Sequence, residues 1–170
     1  MQASISFFVA LESPAGIDFF KTLLISVTAS KSPGDAIGKP LFRINLEHQR
    51  ARFYLGKTLV GVSKISSGRE GFGTPSGSYK ILQKNADHIS NIYGVWKTLD
   101  GTIVNDDVDL RKQPVPPPGL IYEGAPMPNF MRITQGGVGM HAGYIPGYPA
   151  SHGCIRTVSY THLTLPTTTI

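Results

Sequence analysis

Met140-His141-Ala142-Gly143-Tyr144-Ile145-Pro146-Gly147-Tyr148-Pro149-Ala150-Ser151-His152-Gly153-Cys154-Ile155-Arg156 brings a thiol, two imidazoles and a guanidinium into one short run. Cys154 is the only cysteine of the 170-residue chain. A free thiol has a pKa of about 8.5, so it needs a neighbouring base to become a nucleophile near neutrality. His152 stands two residues before Cys154, and in an extended stretch both side chains share a face. His141 reaches the thiol only if the chain folds back. Residues 143–149, dense in Gly and Pro, read as the loop that does so. Gly153 lets a substrate carbonyl approach the backbone, with the N–H groups of Gly153 and Cys154 facing its oxygen as an oxyanion hole. Arg156 offers a forked cation for a carboxylate.

Between Gly124 and Ile170 there is no Asp or Glu, so a Cys-His-Asp triad of neighbouring residues is excluded. Whatever orients His141 is a backbone carbonyl, a neutral amide or hydroxyl, or a distant carboxylate. The same stretch carries Arg132 and Arg156, a balance suited to a substrate with free carboxylates. His141, His152, Cys154 and His162 lack the paired spacing of a zinc site, and no metal is expected. His48, His88 and His162 read as loop or exposed-strand residues.

Ser151-His152-Gly153-Cys154-Ile155-Arg156 with the upstream Met140-His141-Ala142-Gly143 resembles the signature of the L,D-transpeptidase catalytic domain, the YkuD-like family of bacterial cell-wall enzymes. Residues 42–54 resemble that family's opening hairpin, and Ile65-Ser66-Ser67-Gly68 followed by Gly73-Thr74-Pro75-Ser76-Gly77-Ser78-Tyr79 resembles its Thr-Pro-x-Gly segment. The resemblance implies Cys154 as acylated nucleophile and His141 as general base oriented by a main-chain carbonyl. It implies His152 as a third residue at the thiol, and Ser151, Gly153 and Arg156 on the substrate and oxyanion side. The substrate it implies is a peptidoglycan stem peptide. Cys154 forms a thioester with loss of terminal D-alanine, and an amine of a second stem or of a wall-linked protein resolves it. No cofactor is required. An L,D-carboxypeptidase or other Cys-His wall hydrolase, and an idle wall-binding module, are the alternative functions.

Composition agrees with one domain: 41% of residues are hydrophobic and 16% charged. The net charge of +5 comes from scattered residues with no Lys/Arg run, which argues against nucleic acid and is compatible with an anionic wall polymer. No stretch reaches the roughly 18 apolar residues of a membrane span. Residues 19–29 combine a basic position, a short apolar run and a small-residue end, the pattern of an export signal. Together with the resemblance, that implies an exported protein of the bacterial envelope, in the periplasm or on the extracytoplasmic face.

Residues 1–40 thus read as an N-terminal segment ending in a linker over 30–40, and residues 41–156 as the catalytic domain, truncated at its C-terminal end. Residues 157–170 read as a tail foreign to the family, of the kind that vector sequence supplies. Residues 41–46, 51–55, 58–66 and 78–83 are β-branched and aromatic, with Gly56-Lys57 as a turn. The expected fold is mainly β, a sandwich or flattened barrel with short helices. Residues 85–128, holding Asp106-Asp107-Val108-Asp109 and the proline run 114–118, read as a long irregular lid-like insertion whose acidic cluster is solvated. Residues 123–133 are expected to lend aromatic and Met side chains to the pocket.

Overall fold

The computed structural model describes residues 4–8 and 38–158. Ten strands make two five-stranded sheets, and no helix occurs among the described residues. The expected short helices are therefore not seen there. The export-like run and most of the linker and tail lie outside the described residues.

The first sheet has the order β4-β3-β2-β1-β5, formed by β1 (Ser4–Phe8), β2 (Pro40–Asn45), β3 (Arg50–Leu55), β4 (Thr58–Lys64) and β5 (Gly77–Lys80). β2, β3 and β4 form an antiparallel meander whose alternating pattern sends Phe42, Ile44, Ala51, Phe53 and Leu55 inward. Phe42 lies opposite Phe53, and their rings stack at 4.8 Å, the cross-strand aromatic contact that fixes the register. β1 joins this meander to β5, antiparallel to β2 and parallel to β5. β1 is a strand that the pattern of residues 1–40 does not predict.

The second sheet has the order β10-β9-β8-β6-β7, formed by β6 (Gln83–Lys97), β7 (Ile103–Asp109), β8 (Ile121–Arg132), β9 (Gly139–Ala142) and β10 (Ile155–Thr157). Met131, Ile133, Met140 and Ile155 join Phe42, Ile44, Phe53, Val60 and Ile65 in one buried cluster, so the two sheets close on a shared core. Each of these side chains gains about 1.5–3 kcal/mol on leaving water. Met131 thus belongs to the core and not, as the sequence reading had it, to the pocket.

Residues 85–128 depart most from expectation, since most of them build β6, β7 and β8 rather than an irregular lid. Pro126 and Pro128 obscured the strand. They sit in β8 where it pairs with β6 alone, because β9 meets β8 only at Met131 and Arg132, and a free edge tolerates a residue without N–H. Gly94 and Gly124 face each other at a register shift, where an added Cβ would lie 2.1 Å from Glu123 O and Ser90 O respectively. What reads as loop chemistry is the irregularity of a long hairpin.

Candidate active site

β9 and β10 are parallel neighbours, with Ile155 opposite Met140 and Arg156 opposite His141. Met140 and Ile155 enter the core, so alternation turns His141 and Arg156 to the other face. One step back along that register, Cys154 comes beside Gly139, whose backbone N–H favours the thiolate. Cys154 and His141 are then diagonal neighbours, about 8 Å apart at Cα from strand rise and spacing. Parallel neighbours require a return connection. Residues 143–154 supply it, and it is pinned to the segment after β4. Ser66 Oγ donates to Tyr148 O (2.7 Å), Ala150 and Ser151 N–H to Ser67 O (2.9 and 3.0 Å), and Arg69 N–H to Ser151 O (2.9 Å).

Ser151 is buried and closes the turn before Cys154: its Oγ accepts from Gly153 N–H at 3.1 Å and donates to Cys154 O. That bond takes up the Gly153 N–H expected in the oxyanion hole, leaving the Cys154 N–H without a partner among the described hydrogen bonds. Gly153 has φ +110°, a conformation that glycine adopts without strain. Thr74 ties the loop down, its Oγ1 accepting from Gly68 N–H and donating to Gly153 O, both at 2.8 Å. The Thr-Pro segment thus serves the site from below. Gly68 is part of the same contact, since a Cβ there would lie 1.9 Å from Phe72 O and 2.9 Å from Gly153 Cα.

His141 is buried, and its Nδ1 lies 2.8 Å from the carbonyl of Ala142. A carbonyl only accepts, so Nδ1 carries the proton and Nε2 is left unprotonated. The sequence left several orienting groups open, and the backbone carbonyl is the one present. Burial, partly opposed by the Ala142 bond and aided by Arg156 and His88, lowers the imidazole pKa to about 4. Burial also raises the Cys154 thiol, against the Gly139 N–H and the charges of Arg156 and Arg132. The resting pair is therefore neutral thiol and neutral imidazole, with no hydrogen bond between them among those described. The enhanced thiolate fraction expected from the sequence is absent at rest, and a proton must move when an electrophile arrives.

His152 faces elsewhere. Its Nε2 lies 2.6 Å from Asp107 Oδ1 and 3.0 Å from Arg69 Nη2, and Arg69 donates to both Asp107 oxygens at 2.7 Å. Its ring stacks on Tyr93 (4.3 Å) and meets Phe72 edge-on (4.7 Å). The ring nitrogen bonded to Asp107 is not available to the thiol, and the contacts of this ring with Asp107, Arg69, Tyr93 and Phe72 brace it. Asp107, read as part of a solvated loop, is the distant carboxylate of the site, and it serves His152 and not His141. Arg69 foremost, then His152, hold its pKa below the usual carboxylate range against burial.

Arg156 packs beside Gly143, where an added Cβ would lie 3.5 Å from its Cγ and Cδ. Arg132 donates to Gln83 Oε1 at 3.1 Å. Neither guanidinium has a carboxylate partner among the described residues, and both act on Cys154 electrostatically. His88, expected on an exposed strand face, is half-buried and stacks on Phe130 at 4.3 Å, while Phe130 packs over Gly139. His48 lies in the turn after β2 beside Asn45, and His162 is outside the described residues. No cluster of three or more His, Cys, Asp or Glu among the described residues is arranged to hold a metal.

A family model described as the L,D-transpeptidase catalytic domain, YkuD, matches residues 39–162. The chain belongs to the L,D-transpeptidase catalytic domain family. These are enzymes, and the fold agrees. An L,D-transpeptidase from Mycobacterium smegmatis matches with TM-score 0.50 at 15% identity, over 74% of this chain and 60% of that one. L,D-transpeptidase 3 from Mycobacterium tuberculosis, in complex with a faropenem-derived adduct, matches with TM-score 0.49 at 15% identity, over 74% and 62%. The catalytic domain of the E. faecium L,D-transpeptidase acylated by ertapenem matches with TM-score 0.45 at 24% identity, over 71% and 84%. The chain thus spans about 60% of the length of the M. smegmatis L,D-transpeptidase. No curated protein sequence matches it significantly.

Of the residues singled out in the sequence, the fold gathers Cys154, His141 and Arg156 on one face, with Gly153 and Ser151 shaping the turn. The sequence reading missed Gly139, Asp107, Arg69, Tyr93 and Phe72. Asp107 had a visible signal, an acidic cluster, but nothing local said which histidine it would meet.

Proposed function

We propose that the chain catalyses cysteine-dependent acyl transfer on peptidoglycan stem peptides. The observation that carries this reading is the β9/β10 register, which sets Cys154, His141 and Arg156 on one face with the His141 Nδ1–H committed to Ala142. Cys154 Sγ attacks the carbonyl that precedes the terminal D-alanine, and His141 Nε2 accepts the thiol proton as the C–S bond forms. The Cys154 N–H faces the developing oxyanion. Collapse of the tetrahedral intermediate breaks the C–N bond, and His141 returns the proton to the departing amine. An amine of a second stem, or of a wall-linked protein, then attacks the thioester and restores the thiol.

Arg156 and Arg132, cations without carboxylate partners among the described residues, suit the free carboxylates of the stem. Such a substrate lies outside the cytoplasm, in the bacterial envelope. No helix among the described residues is long and apolar enough to cross a membrane. Residues 41–156 form the catalytic unit in this reading, with 1–40 and 157–170 flanking it, and no cofactor takes part in the steps.

The E. faecium relative is acylated by ertapenem, which supplies the probe. Incubation with ertapenem is expected to add one drug mass to the parent protein and none to Cys154→Ala, read by intact-protein mass spectrometry. A folded parent that takes no adduct overturns the reading. With a tetrapeptide stem and an amine acceptor, a cross-linked product supports transpeptidation. D-alanine release without cross-link would replace it by the hydrolase, and binding without thioester by the idle module.

A further inference from the structure

We propose that Asp107 is a positioning residue for the acyl-transfer step, holding the nucleophile loop in place through His152; this rests on the acyl-transfer reading above. Three separate parts of the chain meet at its carboxylate. Arg69 comes from the segment after β4, His152 from the loop that carries Cys154, and Asp107 itself from β7, the edge strand of the second sheet. β7 pairs with β6 alone, so its own ladder does not tie it to the nucleophile loop. The Asp107 carboxylate makes that tie directly, beside the stack of His152 on Tyr93 of β6.

The chemistry of the contact is specific. An ionised carboxylate only accepts, so at 2.6 Å the proton sits on His152 Nε2, and the ring is fixed as that tautomer. Tyr93 covers one ring face and Phe72 meets its edge, while the cation of Arg69 lies over Phe72 at 4.8 Å. As a half-exposed ion pair, Arg69–Asp107 is worth at most about 1 kcal/mol of stability. Its consequence is geometric. Ser151 is anchored by Ser67 and by the Arg69 N–H, but Gly153, at φ +110°, separates that anchor from Cys154. Thr74 holds the Gly153 carbonyl from one side, and the His152 side chain, held by Asp107, is the pin that ties this short turn to the second sheet.

The test measures two rates on Cys154 in the full chain: acylation by ertapenem and alkylation by iodoacetamide, for the parent, Asp107→Ala, His152→Ala and the double variant. Misplacing a reacting atom by about 1 Å costs on the order of a hundredfold. Asp107→Ala is expected to slow acylation about 10- to 100-fold while alkylation rises, because a loosened loop exposes a thiol that burial now keeps protonated. Loss of the Nε2–H signature of His152 in 15N NMR should accompany it. In the His152→Ala background the same substitution should change acylation less than about twofold, since both act through one contact. Asp107→Asn retains one acceptor oxygen and should fall between, and it decides the matter if Asp107→Ala does not fold. Acylation within twofold of the parent in a folded Asp107 variant, or an equal loss in both backgrounds, overturns the proposal. A parent that takes no ertapenem overturns the acyl-transfer reading instead, and the alkylation rates then decide whether Asp107 holds the loop.

Discussion

Replacing His141 by glutamine should flatten the dependence of stability on pH between neutrality and pH 4. In the folded chain the imidazole pKa is lowered from 6.5 to about 4, chiefly by burial. Unfolded, it returns to the ordinary value, so between these two limits the unfolded state binds more protons and stability rises with pH. The contribution of the neutral buried ring is fully present above pH 6.5 and is lost as pH falls toward 4. Holding the ring's pKa near 4 rather than 6.5 amounts to ~3 kcal/mol between pH 7 and pH 4.

Other groups titrate in the same window: burial also lowers His152 and His88, each near a cation, Arg69 and Arg132 respectively. Their contribution has the same sign and is common to both proteins, so subtraction removes it. The carboxylate of Asp109, bonded to Arg111 and lowered to about 2, titrates below the window. Glutamine stays neutral and its amide N–H can still reach the Ala142 carbonyl. Urea unfolding followed by the fluorescence of Trp96, the only tryptophan and a buried one, gives the stability at each pH. The parent should lose about 3 kcal/mol more than His141→Gln between pH 7 and pH 4. Parallel curves would refute the reasoning, because the ring would then not be held neutral by the fold.

The same pKa shift sets the acid limb of ertapenem acylation, which should fall below about pH 4 rather than near 6.5 in a rate–pH profile. Iodoacetamide should alkylate Cys154 more slowly at pH 8 than it alkylates a free cysteine, since burial raises the thiol pKa. Ser151→Ala strips the Gly153 N–H and the Cys154 carbonyl of their partner, and should cost about 1–3 kcal/mol in a denaturant melt with a matching loss of acylation. Gly68→Ala places a Cβ 1.9 Å from the Phe72 carbonyl, a clash with backbone, and should lower the melting temperature by an amount corresponding to about 1–3 kcal/mol.

What the sequence determined about this protein is what local pattern can carry. The alternation in residues 41–55 fixed which side chains of β2 and β3 face the core, because a strand has period two and Phe42 and Phe53 have nowhere else to go. The order His141, loop, Cys154 singled out the pair proposed to react, and the lack of acidic residues after Gly124 excluded a neighbouring carboxylate, leaving a backbone carbonyl such as that of Ala142 among the candidates. Only the tertiary structure decided how those groups stand. The pairing of β9 with β10 is a contact between strands separated by a long return loop, and neither strand's residues specify its register by themselves. The neutral state of the thiol and imidazole comes from their burial in the folded chain, which no spacing rule reveals. Asp107 meets His152 across 45 positions of chain. Its partner was decided by the folding of β6 and β7 back over the nucleophile loop, because an acidic side chain in sequence carries charge but no direction.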